Sequence, residues 1–317
     1  NNEFGWRASR VVQDGGGINT TLAEVKNRAD LIVLFGTDAV SRQPRFFERT
    51  VWVKESMFDF DTTSRHIVYL GAGLNTAPGV SPDGRQPDVF EFDKKRMPEA
   101  LSVLNALLAK QPVAGEAPLG IALARWQALA DALLAAKYSV LVWTASAFDT
   151  PQVDMNVGAI AAIARKLNVT TRCNALPLAG NDGDSTMGAV HLWQTGFPMR
   201  TSYASGTPKF DPLHNGLSRL VAHGETDALV WLSSLNDTVA PPSTGLPTVV
   251  IAPPTQKLDA EPHVFIPVAT PGMHLTGHFV RTDKVVSLPL RALKKSSLPA
   301  AEQVTAAIVA KMKEVGA

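Results

Sequence analysis

The sequence predicts an α/β protein in which parallel strands alternate with helices. Several short runs are apolar at nearly every position, which is typical of strands that are covered on both faces. Alanine-rich stretches with a helical period of apolar residues lie between these runs. Because strands that alternate with helices form mostly parallel sheets, we expect two Rossmann-like lobes with mostly parallel sheets.

The predicted strands are short runs rich in Val, Ile and Leu, at residues 31–36, 66–71, 138–144, 227–232 and 247–252. Cys173 lies in a further short strand. Beyond residue 253 the pattern changes to shorter extended pieces, at 263–268 and 278–288. In open α/β sheets, ligands bind beyond the carboxyl ends of the strands. A site is therefore expected in the loops that follow Gly36, Gly71, Thr144 and Leu232.

The predicted helices are residues 98–108, 121–136, 153–167 and 299–315. Pro98 and Pro299 suit a first helical position, where the missing N–H costs nothing. Residues rich in Gly, Pro and Asp predict loops at 75–87, 111–118, 181–188 and 240–245. A chain of 317 residues exceeds one ordinary core. We place the boundary in the second loop, which predicts a first lobe at 1–115 and a second at 116–317.

The charge and cysteine content exclude several classes of function. Thirty basic and 29 acidic residues give a formal net charge of +1, which argues against a nucleic-acid partner or an anionic membrane surface. No run reaches the roughly 18–20 apolar residues of a membrane span. The single cysteine, Cys173, excludes an internal disulfide, a cysteine-ligated iron–sulfur cluster and an all-cysteine zinc site. We expect a cytoplasmic protein, and we interpret the first residues as a start that lacks upstream residues, not as a signal peptide.

Three patterns of possible chemical interest favour a structural interpretation. His274 and His278 have the spacing of a helical metal pair, but Gly272 and Gly277 argue against a helix there. The Gly-rich residues 15–17 lack the spacing of a dinucleotide-binding loop. No serine lies in a nucleophile elbow. We therefore expect no catalytic residue and no metal ligand in this chain.

Several segments in one order resemble the B subunit of formylmethanofuran dehydrogenases. Residues 21–30 read TLAEVKNRAD, run into the first strand and are followed by Pro44 and Arg45. The likeness continues through WQTGFP at 193–198, KFDP at 209–212 and HGETDA at 223–228, and ends around Gly277 to Val285. Together these segments cover nearly the whole chain, and each alone would be weak.

The resemblance implies the molybdenum/tungsten bis-pterin fold, on which those subunits reduce carbon dioxide to formate. Their metal is bound by a cysteine or selenocysteine, followed by a histidine, just upstream of the segment that matches Gln13 and Asp14. An ungapped count places these two positions at Phe4 and Gly5, and neither side chain can ligate a soft metal. Cys173 lies far along the chain and is expected to be a small buried residue.

The positions that the family uses to hold the pterin also differ. Ser41 and Gln43 stand where the family has two histidines, and Asp38 stands where a neutral Asn is usual, so that a carboxylate would repel pyrophosphate. The family's Asp and Arg after the second strand are replaced within YLGAG at 69–73. Its cationic loop matches residues around Asn181. The resemblance thus predicts a bis-pterin scaffold that lacks its cofactor.

This pattern is similar to a branch of the family in methylotrophic bacteria, in which the B subunit belongs to a formyltransferase/hydrolase complex. In that complex a zinc amidohydrolase-type A subunit releases formate, and the D subunit transfers a formyl group from tetrahydromethanopterin to methylofuran. We expect a non-catalytic subunit that supports A, alongside C and D, with zinc, methylofuran and tetrahydromethanopterin held by partners. The alternative is a molybdenum or tungsten oxidoreductase with unrecognised ligands.

Arg42, Arg45 and Arg49 accompany Phe46 and Phe47 beside the expected cleft. Amphipathic packing would bury the Phe rings and leave the Arg heads in water. A subunit interface, or a contact with the anionic tail of methylofuran, would use the cations instead. Packing or an interface is the interpretation that we favour.

Overall fold

The computed structural model describes residues 3–58, 60–148, 152–178 and 183–316. Apart from Asn1, the chain divides into two compact units, Asn2–Asn181 and Asp182–Ala317. Both units are α/β, and most of their strands pair in parallel.

A five-stranded parallel sheet forms the centre of the first unit, in the order β3-β2-β1-β4-β5. Its strands are β1 (Leu31–Phe35), β2 (His66–Leu70), β3 (Asp88–Phe90), β4 (Ser139–Trp143) and β5 (Cys173–Pro177). Leu31 at the start of β1 is in register with His66 of β2 and with Ser139 of β4. All five residues of β1 are buried, which confirms the expected coverage of both faces.

The two faces of the sheet carry different helices. The helices of this unit are α1 (Glu3–Gly15), α2 (Leu22–Arg28), α3 (Met97–Leu108), α4 (Leu123–Ala135) and α5 (Val153–Leu167). Val33 and Leu141 point into a core with α3, α4 and α5. Ile32 and Val142 point into a second core with α2 and a π-helical turn, Phe47–Val51. This alternation is the period-two geometry of strands.

The sheet continues across the boundary that the sequence predicted between residues 115 and 116. Its strands β4 and β5 follow that point in the chain, and β4 pairs directly with β1. The Gly- and Pro-rich segment between α3 and α4 is therefore a connection within one unit, and the division of the chain falls at residues 181 and 182.

Arg65, just before β2, is buried and joins the elements on one face of the sheet. Its guanidinium donates to the carbonyl oxygen of Ala29 at 2.8 Å and to that of Thr50 at 3.1 Å, and also to those of Val51 and Lys26. Burial lowers its pKa to about 10, so the side chain remains charged at neutral pH. Since these carbonyls end α2 and the π-helical turn, Arg65 holds that turn beside the sheet.

The second unit is built on smaller sheets. Strands β8 (Leu229–Leu232), β9 (Thr248–Ala252) and β10 (Val264–Pro267) form a parallel sheet in the order β10-β9-β8. Two antiparallel pairs accompany it, β6 (Thr201–Ser202) with β7 (Lys209–Phe210) and β11 (Gly277–Val280) with β12 (Ser287–Leu290). Its helices are α6 (Asp184–Thr195), α7 (Leu217–Ala222) and α8 (Ala301–Glu314).

Helix α6 corrects the loop that the sequence predicted at 181–188. The helix begins at Asp184, after Gly183 in a left-handed conformation. Its first residues, Asp-Ser-Thr-Met-Gly, have no helical period of apolar positions, so the pattern gave no helical signal.

Candidate functional site at the carboxyl edge of the sheet

The carboxyl ends of β1 and β4 form the switch point of the five-stranded sheet. The chain runs from β1 towards β2 and β3 on one side, and returns to β4 and β5 on the other. In doubly wound sheets the ligand crevice opens between the loops at this point. The residues after Gly36 and Thr144 therefore decide whether a crevice is present.

The loop after β4 fills the switch point with side chains. A Cβ added to Gly36, where φ is +65°, would lie 3.5 Å from the Met97 side chain, 3.6 Å from the Phe148 ring and 3.7 Å from the Ala147 carbonyl oxygen. Met97 and Phe148 are fully buried, and Phe148 stacks on Trp143 with 6.3 Å between the ring centroids. Among the described residues, apolar side chains therefore pack directly against the end of β1.

The end of β2 is covered as well. A Cβ added to Gly71, which has a φ of +120°, would lie 2.9 Å from the Lys94 side chain. The same position is 3.6 Å from the Cα of Gly36, so that the two strand ends approach each other closely. The aliphatic part of Lys94 lies against Gly71, and a larger residue than glycine would not fit.

Asp38 is buried in the loop after β1, and its carboxylate is used by the loop itself. It accepts hydrogen bonds from the Ser41 backbone N–H at 3.0 Å and from the Ser41 hydroxyl at 2.8 Å. The backbone N–H of Asn75 is 3.4 Å away. Ser41 and Asp38, both predicted as degenerate cofactor positions, thus close a turn. Gln43 lies in the same turn, and its backbone N–H donates to the Ala39 carbonyl oxygen at 2.8 Å.

A shallow, open groove of about 550 Å³ lies beside this loop. It is lined by Val40, Ser41, Pro44, Phe47, Glu48, Trp52, Asn75 and Pro78, and Glu48 is the charged member of this described set. A phosphate-rich cofactor requires cations or clustered N–H donors. The groove carries one carboxylate and mostly apolar walls, and therefore suits an uncharged ligand.

Tyr69, on β2, packs beside Phe47 of this groove with 6.5 Å between the ring centroids. Its hydroxyl is buried and has no hydrogen-bond partner among the residues that the structure describes. Burial raises the pKa of this phenol, and the nearby Asp38 raises it further. Tyr69 is therefore neutral at all physiological pH values and is not a general base.

The three arginines after β1 lie at the surface, and Phe46 and Phe47 are buried beneath them. Arg45 donates from Nε to Glu48 at 2.9 Å, and Arg49 lies 3.4 Å from the same carboxylate. The hydrogen bond from Arg45 lowers the pKa of Glu48 and raises that of Arg45. Arg42 is also exposed.

The remaining candidate positions lie in other segments of the chain. Gly5 lies in α1, the side chain of Phe4 is not described, and Asn181 lies outside the described residues. Cys173 begins β5, at the amino edge of the sheet, and burial raises the pKa of its thiol to about 11. It is the small buried residue that the sequence predicted. A thiol with this pKa is protonated at neutral pH, while a metal ligand must be a thiolate.

No metal cluster is formed by the described part of the chain, where no three His, Cys, Asp or Glu side chains come together. His274 lies in a turn and His278 in β11, so they do not share a helix, as the sequence predicted. No helix among the described residues is long and apolar enough to cross a membrane.

Met97, Phe148 and Lys94 were not found from the sequence, whereas Tyr69 was named there only as part of YLGAG at 69–73. Each belongs to a helix start, loop or strand with an ordinary packing role, and none stands in a motif. The signal that was available is positional, because Phe148 follows the end of a predicted strand by only a few residues.

These features define a class: an α/β protein with a doubly wound parallel sheet whose switch point is packed with its own side chains. No family model matches the chain. Among curated proteins, it is 22% identical over 282 residues to the B subunit of tungsten-containing formylmethanofuran dehydrogenase 2 of Methanocaldococcus jannaschii, covering 87% of this chain and 63% of that protein. It is 27% identical over 305 residues to the B subunit of the formyltransferase/hydrolase complex Fhc of Methylorubrum extorquens, covering 95% and 78%.

A further relative is the corresponding tungsten-containing protein of Methanococcus maripaludis, at 20% identity over 87% of this chain and 64% of that protein. The chain thus spans less than two thirds of the length of both tungsten enzyme subunits. A crystal structure of the formyltransferase/hydrolase complex from Methylorubrum extorquens with methylofuran superposes with a TM-score of 0.79 at 24% identity, covering 99% of this chain and 83% of that one. The chain is homologous to these B subunits, which are parts of enzyme complexes.

Proposed function

We propose that this chain is a redox-inactive structural subunit of a formyltransferase/hydrolase complex. In this role it supports an amidohydrolase-type A subunit and assembles with C and D subunits, while the complex converts formyl-tetrahydromethanopterin to formate through methylofuran. The proposal rests on homology to the B subunit of such a complex over 95% of the chain. The scaffold is then a bis-pterin fold without its cofactor.

The packing of Met97 and Phe148 at the switch point is the observation that carries this proposal. A pterin pyrophosphate needs an open crevice with N–H donors or cations, and the described residues supply apolar side chains there. A molybdenum or tungsten ion needs a soft ligand, and the thiol of Cys173 is buried at the opposite edge of the sheet. The residues present do not fit the cofactor of the tungsten relatives.

Zinc, methylofuran and tetrahydromethanopterin belong, in this proposal, to the partner subunits in the cytoplasm. The groove beside Trp52 has no cation among its described lining residues, so it does not suit a folate-like or polyglutamate ligand. We assign the three exposed arginines, Arg42, Arg45 and Arg49, to a subunit interface. The packing role is already filled by Phe46 and Phe47, and Glu48 pairs with Arg45 and Arg49.

The competing function is a molybdenum or tungsten oxidoreductase, which the two tungsten-containing relatives favour. Elemental analysis of the purified chain and of its complex, together with the absorption of pterin, separates the two. We expect neither metal in stoichiometric amount, and full turnover of formyl-tetrahydromethanopterin in cells grown without molybdenum and tungsten. One molybdenum or tungsten per chain would overturn the structural role.

The supporting role is tested by reconstitution. The A, C and D counterparts from the same organism are purified with and without this chain, and the release of formate is measured. We expect an active complex only when the chain is present, because A is otherwise incompletely assembled. Equal activity and equal assembly in its absence would contradict the proposal.

A further inference from the structure

Helix α6 exposes several large apolar side chains and has no buried residue. After Asp184 it contains no Asp, Glu, Lys or Arg, and Met187, Val190, Leu192 and Trp193 are exposed. Trp193 is 72% exposed. A contiguous patch of exposed apolar side chains marks a site of interaction with another molecule. The described part of the chain covers α6 only in part, where the Thr186 hydroxyl oxygen accepts from the Val280 backbone N–H at 2.9 Å.

The exposed surface continues into the segment after α6, which is held in place by specific contacts. The His191 ring lies 2.7 Å from the Phe197 carbonyl oxygen through Nδ1 and 2.8 Å from the Tyr203 hydroxyl through Nε2. Since a carbonyl can only accept, Nδ1 donates, and Nε2 of the neutral ring accepts from Tyr203. Phe197 also stacks on Phe210, with 6.3 Å between the ring centroids.

We call these exposed side chains the α6 surface: Met187, Val190, Leu192, Trp193, Phe197 and Tyr203. Because the contacts of His191 and Phe210 already hold Phe197 and Tyr203, little freedom of these two side chains is lost when this surface is covered. Preorganisation of this kind lowers the entropic cost of association.

The charges around the α6 surface favour a protein over a membrane. Helices that bind membrane surfaces carry Lys and Arg on their polar face. Residues 184–213 contain two basic residues, Arg200 and Lys209, and Arg200 is buried and donates to the Pro212 carbonyl oxygen at 2.6 Å. Aromatic residues and Met with few charges are instead the composition of an interface centre.

From these observations we propose that the α6 surface docks another subunit of the hetero-complex, with Trp193 as the central anchor. The partner presents an uncharged apolar surface with a hydrogen-bond acceptor for the Trp193 indole N–H. This inference rests on the proposed function and adds to it the place of contact. Buried Trp residues are among the strongest contributors to interface affinity.

The test compares the full chain with two single variants. Trp193→Asp places a charge in the α6 surface, while Val169→Asp makes a matched change at a position in the first unit that is 82% exposed. Binding of each chain to the purified A, C and D counterparts is measured by titration. We expect Trp193→Asp to raise Kd at least tenfold and Val169→Asp to change it less than twofold. Equal melting temperatures of the free variants show that folding is intact.

Each other outcome has one meaning. If the wild-type chain binds and Trp193→Asp binds equally well, the α6 surface is not the interface, although the proposed function stands. If the wild-type chain binds none of the counterparts, the proposed function itself fails. Trp193-dependent self-association in sedimentation would make a second copy the occupant of this surface, and Trp193-dependent binding to phosphatidylserine/phosphatidylcholine vesicles would make a membrane the occupant. Either result would overturn the inference.

Discussion

The two units of the chain bury their apolar residues to different degrees. In the first unit every residue of β1 and β4 is buried, and two apolar clusters cover the faces of the sheet. In the second, β8 is half-exposed along its length, and α6, α7 and α8 have no buried residue. Of 28 large apolar side chains exposed among the described residues, 21 lie at or beyond Met187. The first unit therefore has the core of an independent domain, and the second carries most of the large apolar side chains that the described residues expose.

This difference separates two kinds of residue in the same chain. Apolar residues of the first unit stabilise its own fold. In the second unit Val250, Ile251 and Val268 are buried in the same way, but its exposed apolar side chains contribute little to the stability of the free chain. Four measurements test this difference between the two units.

The largest effect is expected for Trp126, which is fully buried in the first unit and donates to the Pro118 carbonyl oxygen at 3.2 Å. Trp126→Ala leaves a cavity and should lower the free energy of unfolding by about 3–5 kcal/mol. Trp193→Ala, on the exposed α6, should change it by about 0.5 kcal/mol or less. Urea denaturation of both variants measures the contrast. Similar losses would show that α6 is packed within the free chain.

Arg65→Met should lower the free energy of unfolding by about 3 kcal/mol, somewhat less than Trp126→Ala. The substitution leaves the buried carbonyl oxygens of Ala29 and Thr50 without a donor. The control is Arg85→Met, since Arg85 also donates to carbonyl oxygens but is exposed. We expect Arg85→Met to lower the free energy of unfolding by about 1 kcal/mol or less. Equal losses in chemical denaturation would mean that burial of Arg65 is unimportant.

Tyr69→Phe should stabilise the first unit by about 1 kcal/mol, since it removes a buried hydroxyl without a partner. Tyr138→Phe is the matched control, because the Tyr138 hydroxyl lies 2.8 Å from that of Thr20. It should destabilise the unit by about 1 kcal/mol. The melting temperatures should therefore shift in opposite directions. A loss of stability in Tyr69→Phe would indicate that the hydroxyl has an undetected role.

The smallest effect concerns the surface pair of Arg45 and Glu48. The pKa of Glu48 is lowered in the folded state by its hydrogen bond with Arg45. Its contribution is therefore present above the ordinary carboxyl pKa, and is lost as the pH falls through the lowered value. Stability curves of the wild type and of Glu48→Gln should converge at low pH. Because both side chains are exposed, added salt should reduce the difference at neutral pH.

The central sheet could be predicted from the sequence because its strands are apolar on both faces. The runs at 31–36, 66–71 and 138–144 correspond to β1, β2 and β4, and the helix predicted at 153–167 is α5 itself. The boundary at 115/116 differs from the division of the structure, since a Gly- and Pro-rich loop within one sheet looks like a linker between two. Helix α6 was missed because its first residues, Asp-Ser-Thr-Met-Gly, have no helical period of apolar positions.

The site was predictable in one respect only. The resemblance indicated the loop after β1 as part of the site. In the structure, Ser41 donates two hydrogen bonds to the Asp38 carboxylate in this loop. The residues that fill the switch point, Met97 and Phe148, come from distant segments of the chain. A sequence pattern does not report which distant side chains occupy a crevice, because this depends on how the loops close.

The packing of Phe148 against Gly36 also bears on how the protein is made in the cell. A protein that must enclose a metal-pterin cofactor depends on cofactor synthesis and delivery before it reaches its final state. In the proposed cofactor-free role, the side chains that pack against Gly36 are supplied by the chain itself during folding. Production of this chain should then be independent of the availability of molybdenum, tungsten and their insertion factors.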